Sequence, residues 1–527
     1  MLRDRLRRCA TSYPEKVAYY QGERSRTWSQ VYERSLRFAA ALQRLGVRKG
    51  DAVAILSREC IEVYEHFYAC MIIGAVRVGV NWRYSPAEMV HVLANSAVKV
   101  CVVEDICIDS LAGVLDDQPV KSCRLIGLGA GHGLPPDYER LLADSDGRPD
   151  EPAIDREDPL LHTYTSGVTG SPKAVVLSHR AIETELMIIQ PYFGLRSNDI
   201  WYMPAQSAWV AVVGNIVGLI AGMTCVIPDG MFEMGRYLED VERRRVSVGL
   251  LVPTMMKRLV EMIDKGSHHD FSSLKRITYG SAPATPALIR DVDRTLGVDL
   301  VQLYGMTECV AWACFLQPDE HRRGLAGEPD LLRSSGRFAT HVDWRICDDD
   351  GRDVPRGEAG TVWLKGDNLM SGYLNLPEET REVMLPDGWY ITNDIGRIDD
   401  QGFVYLLDRR KFLINTGGVN VFPAQVEAVL ANEQSISDVM VVGVPHPEWG
   451  EAVVAAVVAR EGATDVRERV LDHCRRHLSS LEAPKHVELM NELPRTTNGK
   501  PDKKALIAHF NANVTLPWNA PRQAASA

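Results

Sequence analysis

The sequence lacks any arrangement of cysteines that predicts a disulfide framework or a zinc site. Its eleven cysteines are an odd number, and they are scattered singly without a Cys-x-x-Cys pair. This usage is typical of a reducing compartment, and we expect a cytoplasmic protein. The first residues, MLRDRLRRCATSYPEK, are rich in arginine, but no apolar segment follows them, so a secretory signal peptide is not predicted.

An excess of positive charge is also missing. The 527 residues include 59 Lys+Arg and 70 Asp+Glu, which gives a net charge of −11. This balance argues against a broad nucleic-acid-binding surface, whereas a small anionic ligand needs only a few local basic residues. With 45% hydrophobic and 24% charged residues, the composition is that of a globular protein, and it excludes a disordered or fibrous chain.

Long hydrophobic runs are scarce, with one exception. Residues 209–227 (WVAVVGNIVGLIAGMTCVI) are nearly all apolar and about long enough to span a bilayer. Asn215 and several glycines lower the hydropathy of this segment, and no cluster of Lys or Arg flanks it. A buried helix and strand fit the segment as well as a membrane helix does, and the rest of the chain offers no partner span. We therefore predict a buried core segment and no membrane span.

The order of sequence patterns predicts an α/β fold. Residues 1–145 alternate helical periodicity with short β-branched runs, residues 145–159 form a polar connection, and residues 340–407 are typical of β hairpins. A smaller α+β pattern follows. We predict a large N-terminal body of layered α/β subdomains plus β hairpins (1–407), a hinge (408–411), a small mobile C-terminal lid domain (412–512) and a tail (513–527).

The densest run of glycines and hydroxyls is TSGVTGSPK at residues 165–173. Backbone N–H groups and hydroxyls in such a loop can wrap phosphate oxygens, with a lysine as a point charge. The run fails the Walker pattern, because Pro172 stands where the second glycine is needed and Ala174 replaces the Mg²⁺-binding hydroxyl. Strand-like segments flank the loop on both sides, so a strand–loop–strand unit is predicted. A mobile surface loop of small residues is the alternative interpretation.

Four further motifs accompany this loop in a fixed order. They are YGMTE (304–308), GWYITND (388–394), DRRKFLINTGGVNVFPAQVE (408–427) and NGK (498–500). With these five motifs the sequence resembles the adenylate-forming superfamily of acyl-CoA synthetases, aryl-acid ligases, luciferases and peptide-synthetase adenylation domains. The resemblance extends from about residue 10 to residue 510.

The resemblance implies a reaction in two halves. A carboxylate attacks the α-phosphate of ATP to give acyl-AMP and pyrophosphate, and a thiol, usually that of coenzyme A, then displaces AMP. Because the first half builds charge on phosphorus, positioning and electrostatics are expected to dominate catalysis. By resemblance, Lys500 bridges the carboxylate and the α-phosphate, Thr307 contacts that phosphate, and Glu308 binds Mg²⁺ through a hard carboxylate oxygen.

The resemblance also implies contacts to the nucleotide. Tyr304 would flank the adenine, Asp394 would accept hydrogen bonds from both ribose hydroxyls, and Arg409 would support the ribose side. The predicted cofactor-binding residues are Thr165, Ser166, Gly167, Thr169, Gly170, Lys173, Ser281, Ala282, Pro283, Tyr304, Gly305, Met306, Asp394, Arg409, Gly417, Gly418 and Trp449.

Three features of the C-terminal part are implied in the same way. Lys411 aligns with the hinge about which the small domain turns in this family. Gly417 and Gly418 have no side chains that would obstruct a pantetheine arm near the backbone. Trp449 either stacks on the adenine of coenzyme A or packs under the small domain.

The segment that should line the acid pocket departs from the family pattern. Ser207 takes a place where many relatives carry His, and residues 204–209 contain no Asp for a substrate ammonium. We therefore expect an acid without a free α-amine. Trp209 beside small residues leaves room for an aromatic or bulky alicyclic acid, with core packing as the alternative role of its indole. The predicted pocket residues are Met187, Ile188, Ser207, Ala208, Trp209, Gly280, Cys309 and Val310.

Other departures affect single steps. Val168 removes one hydroxyl from the phosphate loop, which costs about 1 kcal/mol of hydrogen bonding. Asn393 replaces the usual glycine, and asparagine tolerates a positive φ. Asn415 and Ala483 stand where many relatives carry basic residues that hold CoA phosphates.

Three functions are therefore predicted in order of preference. The first is an ATP- and Mg²⁺-dependent ligase that joins a small-molecule carboxylic acid to coenzyme A. The second passes the acyl group to an acyl carrier protein or partner enzyme, and the third is a ligand-binding relative without catalysis. The sequence is compatible with a monomer or a homodimer.

Overall fold

The computed structural model describes residues 1–111, 117–129, 136–165, 172–204, 206–496 and 501–518. The strands of these residues, β1 to β25 in chain order, are Val17–Gln21, Arg24–Thr27, Ala52–Leu56, Val76–Val80, Val100–Glu104, Arg124–Leu128, Pro159–Thr165, Lys173–Ser178, Ile200–Tyr202, Thr224–Ile227, Val248–Leu251, Arg276–Gly280, Asp299–Tyr304, Cys314–Leu316, Arg337–Phe338, Asp343–Cys347, Gly360–Lys365, Gly372–Tyr373, Tyr390–Ile398, Val404–Arg409, Ile414–Thr416, Val419–Val421, Ile436–His446, Gly450–Ala459 and His486–Leu489. The α-helices, α1 to α17, are Leu2–Ser12, Trp28–Arg44, Ile61–Ile73, Pro86–Asn95, Ile108–Leu111, Gln118–Ser122, Tyr138–Ala143, His179–Phe193, Val212–Asn215, Met234–Arg244, Pro253–Asp264, Pro286–Leu296, Pro318–Ala326, Pro377–Val383, Pro423–Leu430, Val466–His477 and Lys503–Asn513. The predicted α/β class is confirmed.

The chain divides into two compact units. The large unit contains residues 1–344 and 364–390, and the small unit contains residues 345–363 together with the described part of 391–527. Each unit has its own sheets and its own buried core.

A nine-stranded sheet is the centre of the large unit. Its order is β15-β14-β13-β12-β11-β9-β10-β1-β2, and the strands from β13 to β1 run parallel. The carboxyl ends of β9, β12 and β13 therefore meet at one edge of the sheet, which is where parallel α/β sheets bind ligands. The loops that follow these three strands carry most of the predicted pocket residues.

A second sheet of the large unit carries the ends of the predicted phosphate loop. Its order is β18-β8-β7-β4-β3-β5-β6, and β7 and β8 form an antiparallel pair in which Thr165 lies opposite Lys173. The strand–loop–strand prediction is confirmed for both flanks. Helix α3, all of whose residues are buried, contacts strands of both large sheets and ends at Gly74, which has a φ of 67°.

The apolar residues 209–227 lie inside the large unit. They contain the short helix α9, a turn of 3₁₀ helix at Val217–Ile220 and the strand β10, which pairs with β1 and β9 within the nine-stranded sheet. The buried-core prediction for this segment is confirmed. Among the residues that the structure describes, no helix is both long and apolar enough to cross a membrane.

The small unit contains a five-stranded sheet, formed by β21 to β25, and most of a four-stranded sheet in the order β16-β17-β19-β20. We predicted that the segment containing this four-stranded sheet, residues 340–407, belongs to the N-terminal body. The structure groups most of it with the C-terminal elements instead, because Asp408 at the end of β20 accepts a hydrogen bond from Ala424 N at 2.9 Å and lies 3.5 Å from Lys503 Nζ. The hinge at 408–411 stays a prediction.

Candidate active site

Three loops of the large unit converge at the carboxyl edge of the nine-stranded sheet. Gly280, the last residue of β12, lies opposite Leu303 of β13, so the segments Ser281–Pro283 and Gly305–Val310 begin side by side. The segment around Ser207 follows β9, two strands away from β12 in the same sheet. The structure therefore brings together the predicted residues Ser207, Ala208, Trp209, Gly280, Ser281, Ala282, Pro283, Tyr304, Gly305, Met306, Thr307, Glu308, Cys309 and Val310 at this edge.

The backbone of the YGMTE segment is held in an unusual conformation. A β-carbon at Gly305 would lie 2.1 Å from the Ala311 carbonyl oxygen and 2.6 Å from the Cα atom of Trp312, so only glycine fits there. Val310 adopts a φ of 64°, which is a strained conformation for a β-branched residue. Backbone strain of this kind is common at functional sites.

Glu308 is linked to the end of the phosphate loop by an aromatic side chain. The Tyr373 hydroxyl donates a hydrogen bond to Glu308 Oε1 at 3.0 Å, and Lys173 Nζ lies 5.6 Å from the centre of the Tyr373 ring. Strand β18 places Tyr373 beside β8, which begins at Lys173. The structure thus places Lys173 over the ring of Tyr373 and Glu308 at its hydroxyl, and the sequence motifs do not single out this tyrosine.

Several predicted residues lie outside the described part of the chain. They are Ser166, Gly167, Thr169 and Gly170 of the loop, together with the predicted catalytic Lys500. Their assigned roles stay predictions.

Two neighbouring residues of helix α8 were predicted to line the acid pocket, and they differ in solvent exposure. Ile188 is buried, but Met187 is 43% exposed and its sulfur lies 3.3 Å from Arg5 Nη2 of helix α1. The rotation of about 100° per residue turns Met187 away from the buried face of α8, and its role in the pocket stays a prediction.

Helix α8 also presents a buried carboxyl group that the sequence analysis missed. Glu185 Oε1 accepts a hydrogen bond from Trp312 N at 3.0 Å, and Oε2 accepts one from Asn368 Nδ2 at 3.1 Å. Asn368 Nδ2 also donates to the Cys309 carbonyl at 3.2 Å. Burial raises the pKa of Glu185 to about 8, so the carboxyl group is largely protonated at neutral pH. Glu185 thereby ties helix α8 to the segment that follows YGMTE.

The raised pKa predicts that the contribution of Glu185 to the stability of the protein falls as pH rises. The folded protein holds the Glu185 proton up to about pH 8, whereas the unfolded chain releases it near pH 4.3, so this one group lowers the free energy of unfolding by about 1.4 kcal/mol per pH unit between these values. Glu185→Gln removes this titration. In urea unfolding at pH 5 and pH 8, the variant should gain stability relative to the wild type as pH rises. Glu183→Gln, on the same helix but partly exposed, is the control. An unchanged difference between wild type and Glu185→Gln at the two pH values would contradict the prediction.

In the small unit the two predicted ribose-binding residues are paired. Asp394 is buried on β19, and its Oδ1 atom lies 3.1 Å from Arg409 Nε on β20. Asn393 has a φ of 60°, which confirms that asparagine adopts the left-handed conformation expected at this position, where glycine is usual. The ion pair with Arg409 thus orients the Asp394 carboxylate. The backbone N–H of Asp394 donates a hydrogen bond to Thr392 Oγ1 at 3.0 Å.

The predicted CoA-binding residues lie around the hairpin of β21 and β22. Gly417 and Gly418 form its turn with φ values of 59° and 81°, and β-carbons at these positions would meet no atom within 4 Å. Trp449 stacks on His446 with ring centres 4.1 Å apart, and Lys485 Nζ lies 5.4 Å from the indole. Lys411 lies in a 3₁₀ turn at Arg410–Phe412, and burial lowers its pKa.

The one carboxylate at the end of the phosphate loop, that of Glu308, suits a metal ion that also binds phosphate. The described residues contain no cluster of three or more His, Cys, Asp or Glu side chains that could hold a metal without help. Glu308 offers one hard oxygen beside the end of the phosphate loop. A single carboxylate combined with phosphate oxygens is the arrangement that Mg²⁺ uses with nucleotides, so the residues present fit that ion.

Comparison with known proteins agrees with this arrangement. The model of the AMP-binding enzyme family matches residues 6–374, and that of the AMP-binding enzyme C-terminal domain matches residues 425–500. Indoleacetate–CoA ligase of Aromatoleum aromaticum is 33% identical over 505 residues, which cover 94% of this chain and 96% of that enzyme. The fatty acid–acyl-carrier-protein ligase ScoC of Streptomyces coeruleorubidus is 29% identical over 502 residues, or 92% of each protein.

A solved structure shares the whole fold. The amide bond synthetase McbA from Marinactinospora thermotolerans aligns with a TM-score of 0.85 and 29% identity, over 97% of this chain and 100% of that chain. The fold, the site at the sheet edge and the matches over nearly the full length point to one assignment. The chain belongs to the AMP-binding enzyme family of adenylate-forming enzymes, and it is an acid–thiol ligase of the acyl-CoA synthetase type.

Proposed function

We propose that the protein uses ATP and Mg²⁺ to activate a carboxylic acid without a free α-amine, favouring aryl or bulky alicyclic acids, and transfers the acyl group to coenzyme A. A carboxylate oxygen attacks the α-phosphorus of ATP, and the bond to the bridging oxygen of pyrophosphate breaks. The sulfur of the thiol, having lost its proton, then attacks the acyl carbon and AMP leaves. The observation that carries this proposal is the grouping of Glu308, which follows β13 of the nine-stranded sheet, with Lys173 and Tyr373 of the seven-stranded sheet.

Each residue has a defined task in this proposal. Lys173 would attract phosphate oxygens at the end of the loop, and Glu308 would hold Mg²⁺, which neutralises phosphate charge when it is bound. Asp394 would accept hydrogen bonds from the ribose hydroxyls, in the orientation that Arg409 fixes. Lys500 would stabilise the charge that develops as the carboxylate reaches the α-phosphate.

The choice of acid rests on the walls of the pocket. Residues 204–209 contain no carboxylate for a substrate ammonium, and Ala208 and Gly280 are small. Trp209 is partly buried, and its Nε1 atom has no hydrogen-bond partner among the described residues. An indole in this place offers a flat apolar surface to a ring-shaped acid.

A carrier-protein thiol is the second candidate for the acceptor. Asn415 and Ala483 lack the positive charge that would hold CoA phosphates, and Ala483 packs against the core of the small unit. One relative of this chain is named as a ligase for an acyl carrier protein. We also infer a cytoplasmic location, which the eleven free and buried cysteines support.

One experiment separates the two acceptors. The protein is incubated with ATP, Mg²⁺ and a panel of aryl, alicyclic and fatty acids, with CoA, with a phosphopantetheinyl carrier protein or with neither, and the products are identified by mass spectrometry. The proposal expects acyl-AMP in all three reactions and acyl-CoA when CoA is present. If acyl-AMP persists in the presence of CoA but is consumed when the carrier protein is present, the acceptor is the carrier-protein thiol and not CoA. A lack of acyl-AMP with every acid would overturn the proposal.

A further inference from the structure

An arginine lies fully buried in the large unit without a hydrogen-bond partner among the described residues. Arg77, on strand β4, is 0% exposed, and its Nε, Nη1 and Nη2 atoms make no hydrogen bond to any described residue. Burial lowers the pKa of Arg77 to about 10, so the guanidinium still carries its charge at neutral pH. Leaving such a charge unpaired in the interior is costly, and buried charges are nearly always paired.

The guanidinium lies beside the segment that lines the predicted acid pocket. A β-carbon placed on Gly79 would be 2.8 Å from Arg77 Nη1, 2.6 Å from the Ala208 carbonyl oxygen and 2.7 Å from the Ala208 Cα atom. Because Gly79 has no side chain, the head of Arg77 and the backbone of Ala208 share this space. Ala208 stands between Ser207 and Trp209, the other two predicted pocket residues of the segment.

The buried carboxylate that acts electrostatically on Arg77 already accepts two hydrogen bonds. Glu59 is buried, its Oε1 atom accepts a hydrogen bond from Ser207 N, and its Oε2 atom accepts one from the Tyr64 hydroxyl at 2.8 Å. Glu59 comes close enough to raise the pKa of Arg77 slightly against the effect of burial, but the two side chains form no ion pair within 4.0 Å. The described residues therefore provide Arg77 with no carboxylate within 4.0 Å.

Two further N–H donors of this region lack a partner among the described residues, as do the acceptor Asn215 Oδ1 and the hydroxyl of Thr163. Asn81 Nδ2, two residues beyond Gly79, and Trp209 Nε1, next to Ala208, are both buried without a partner among the described residues. Three side chains whose N–H groups lack an acceptor among the described residues, one of them positively charged, point to a ligand group that accepts hydrogen bonds and is negatively charged. A carboxylate fits best, because the guanidinium fork donates two parallel hydrogen bonds to it.

We propose that Arg77 binds a second carboxylate of the acid substrate, which makes the preferred substrate a dicarboxylic acid. This inference rests on the proposed function, since it concerns the acid that is adenylated. One carboxylate reacts with ATP, and the other is held at Arg77 behind Ala208.

The test compares pairs of acids that differ at one end. Each pair consists of an aryl or alicyclic dicarboxylic acid and its analogue with a methyl group in place of the second carboxylate, and AMP release is measured with ATP and Mg²⁺. The wild type should favour the diacid by at least about a hundredfold in kcat/KM, as expected when a buried charge finds its partner. Arg77→Met should abolish this preference and still adenylate the methyl analogue.

The outcomes distinguish this inference from the proposed function. Adenylation of the methyl analogues with no preference for the diacids by the wild type would overturn the role of Arg77 alone, and would leave water or chloride as its partner. Equal loss for both members of a pair in Arg77→Met would show a structural role and would overturn it too. No AMP release with any acid would overturn the proposed function itself. If Arg77→Met does not fold, the preference of the wild type and of Arg77→Lys, which keeps the charge but loses the fork, decides the question.

Discussion

Lys500→Ala should reduce adenylation by about a thousandfold while leaving thiol transfer from supplied acyl-AMP largely intact. A positioned charge at the developing transition state is worth about this much, and acyl transfer to the thiol has no α-phosphate under attack for the ammonium to stabilise. Lys500 lies outside the described residues, so its role rests on the NGK motif. The two half-reactions are measured separately, the first as acid-dependent AMP formation and the second as thioester formation from synthetic acyl-AMP.

Lys504→Ala is the matched control for this variant. Lys504 is an exposed lysine four residues further along the chain, and its loss should change either half-reaction by no more than about threefold, as is usual for an exposed charge. Lys503 is unsuitable, because it is mostly buried next to Asp408 and Glu427 and stabilises the small unit. Equal losses in both half-reactions of Lys500→Ala would contradict the assignment of this lysine to adenylation.

Glu308→Gln should lower the rate of adenylation by about a hundredfold to a thousandfold and raise the Mg²⁺ concentration needed for half-maximal rate. The amide oxygen can still accept the hydrogen bond of Tyr373, but the negative charge that binds the metal is lost. Initial rates over a range of Mg²⁺ concentrations measure the effect.

The Tyr373→Phe variant measures the contribution of the hydrogen bond to Glu308 separately from that of the metal. This variant removes only the hydroxyl that donates to Glu308 and should cost about 1 kcal/mol, or roughly fivefold in rate, with little change in the Mg²⁺ requirement. An unchanged Mg²⁺ requirement in Glu308→Gln would show that the metal is held elsewhere.

The parts of the site that follow directly from local sequence were predicted well. The loop at 165–173 was expected between two strands, and β7 and β8 confirm both. Asn393 was expected to accept a positive φ, and it does. Residues 209–227 were expected in the core, because the rest of the chain offers no partner span and Asn215 and the glycines lower the hydropathy, and the structure places them there. These features depend on backbone chemistry within a few residues, which the sequence displays.

The features that were missed depend on contacts between distant parts of the chain. Glu185 meets Asn368 across 183 residues, and only the folded structure shows that both are buried and hydrogen-bonded. Arg77 stands in a strand, VRVGV, whose alternation resembles that of a half-exposed strand, although both faces of β4 are buried. Met187 was assigned to the pocket together with Ile188, but the rotation of the helix leaves Met187 exposed and Ile188 buried.

The grouping of the four-stranded sheet with the small unit could not be predicted for the same reason. Its strands are continuous in sequence with the N-terminal body, and the hydrogen bond from Ala424 and the approach of Lys503 to Asp408 come from later segments. Sequence continuity and spatial grouping are different properties, and only the second depends on such long-range pairs.

The measurement that tests the account most directly is acid-dependent exchange of labelled pyrophosphate into ATP in the absence of any thiol. Exchange reports the reversible formation of acyl-AMP, which is the step that Glu308, Asp394 and Lys500 are proposed to serve. The account predicts exchange that requires both Mg²⁺ and an acid and that falls about a thousandfold in Lys500→Ala. Thioester formation by the wild type without such exchange would contradict it, because the acid would then be activated by a route other than an adenylate.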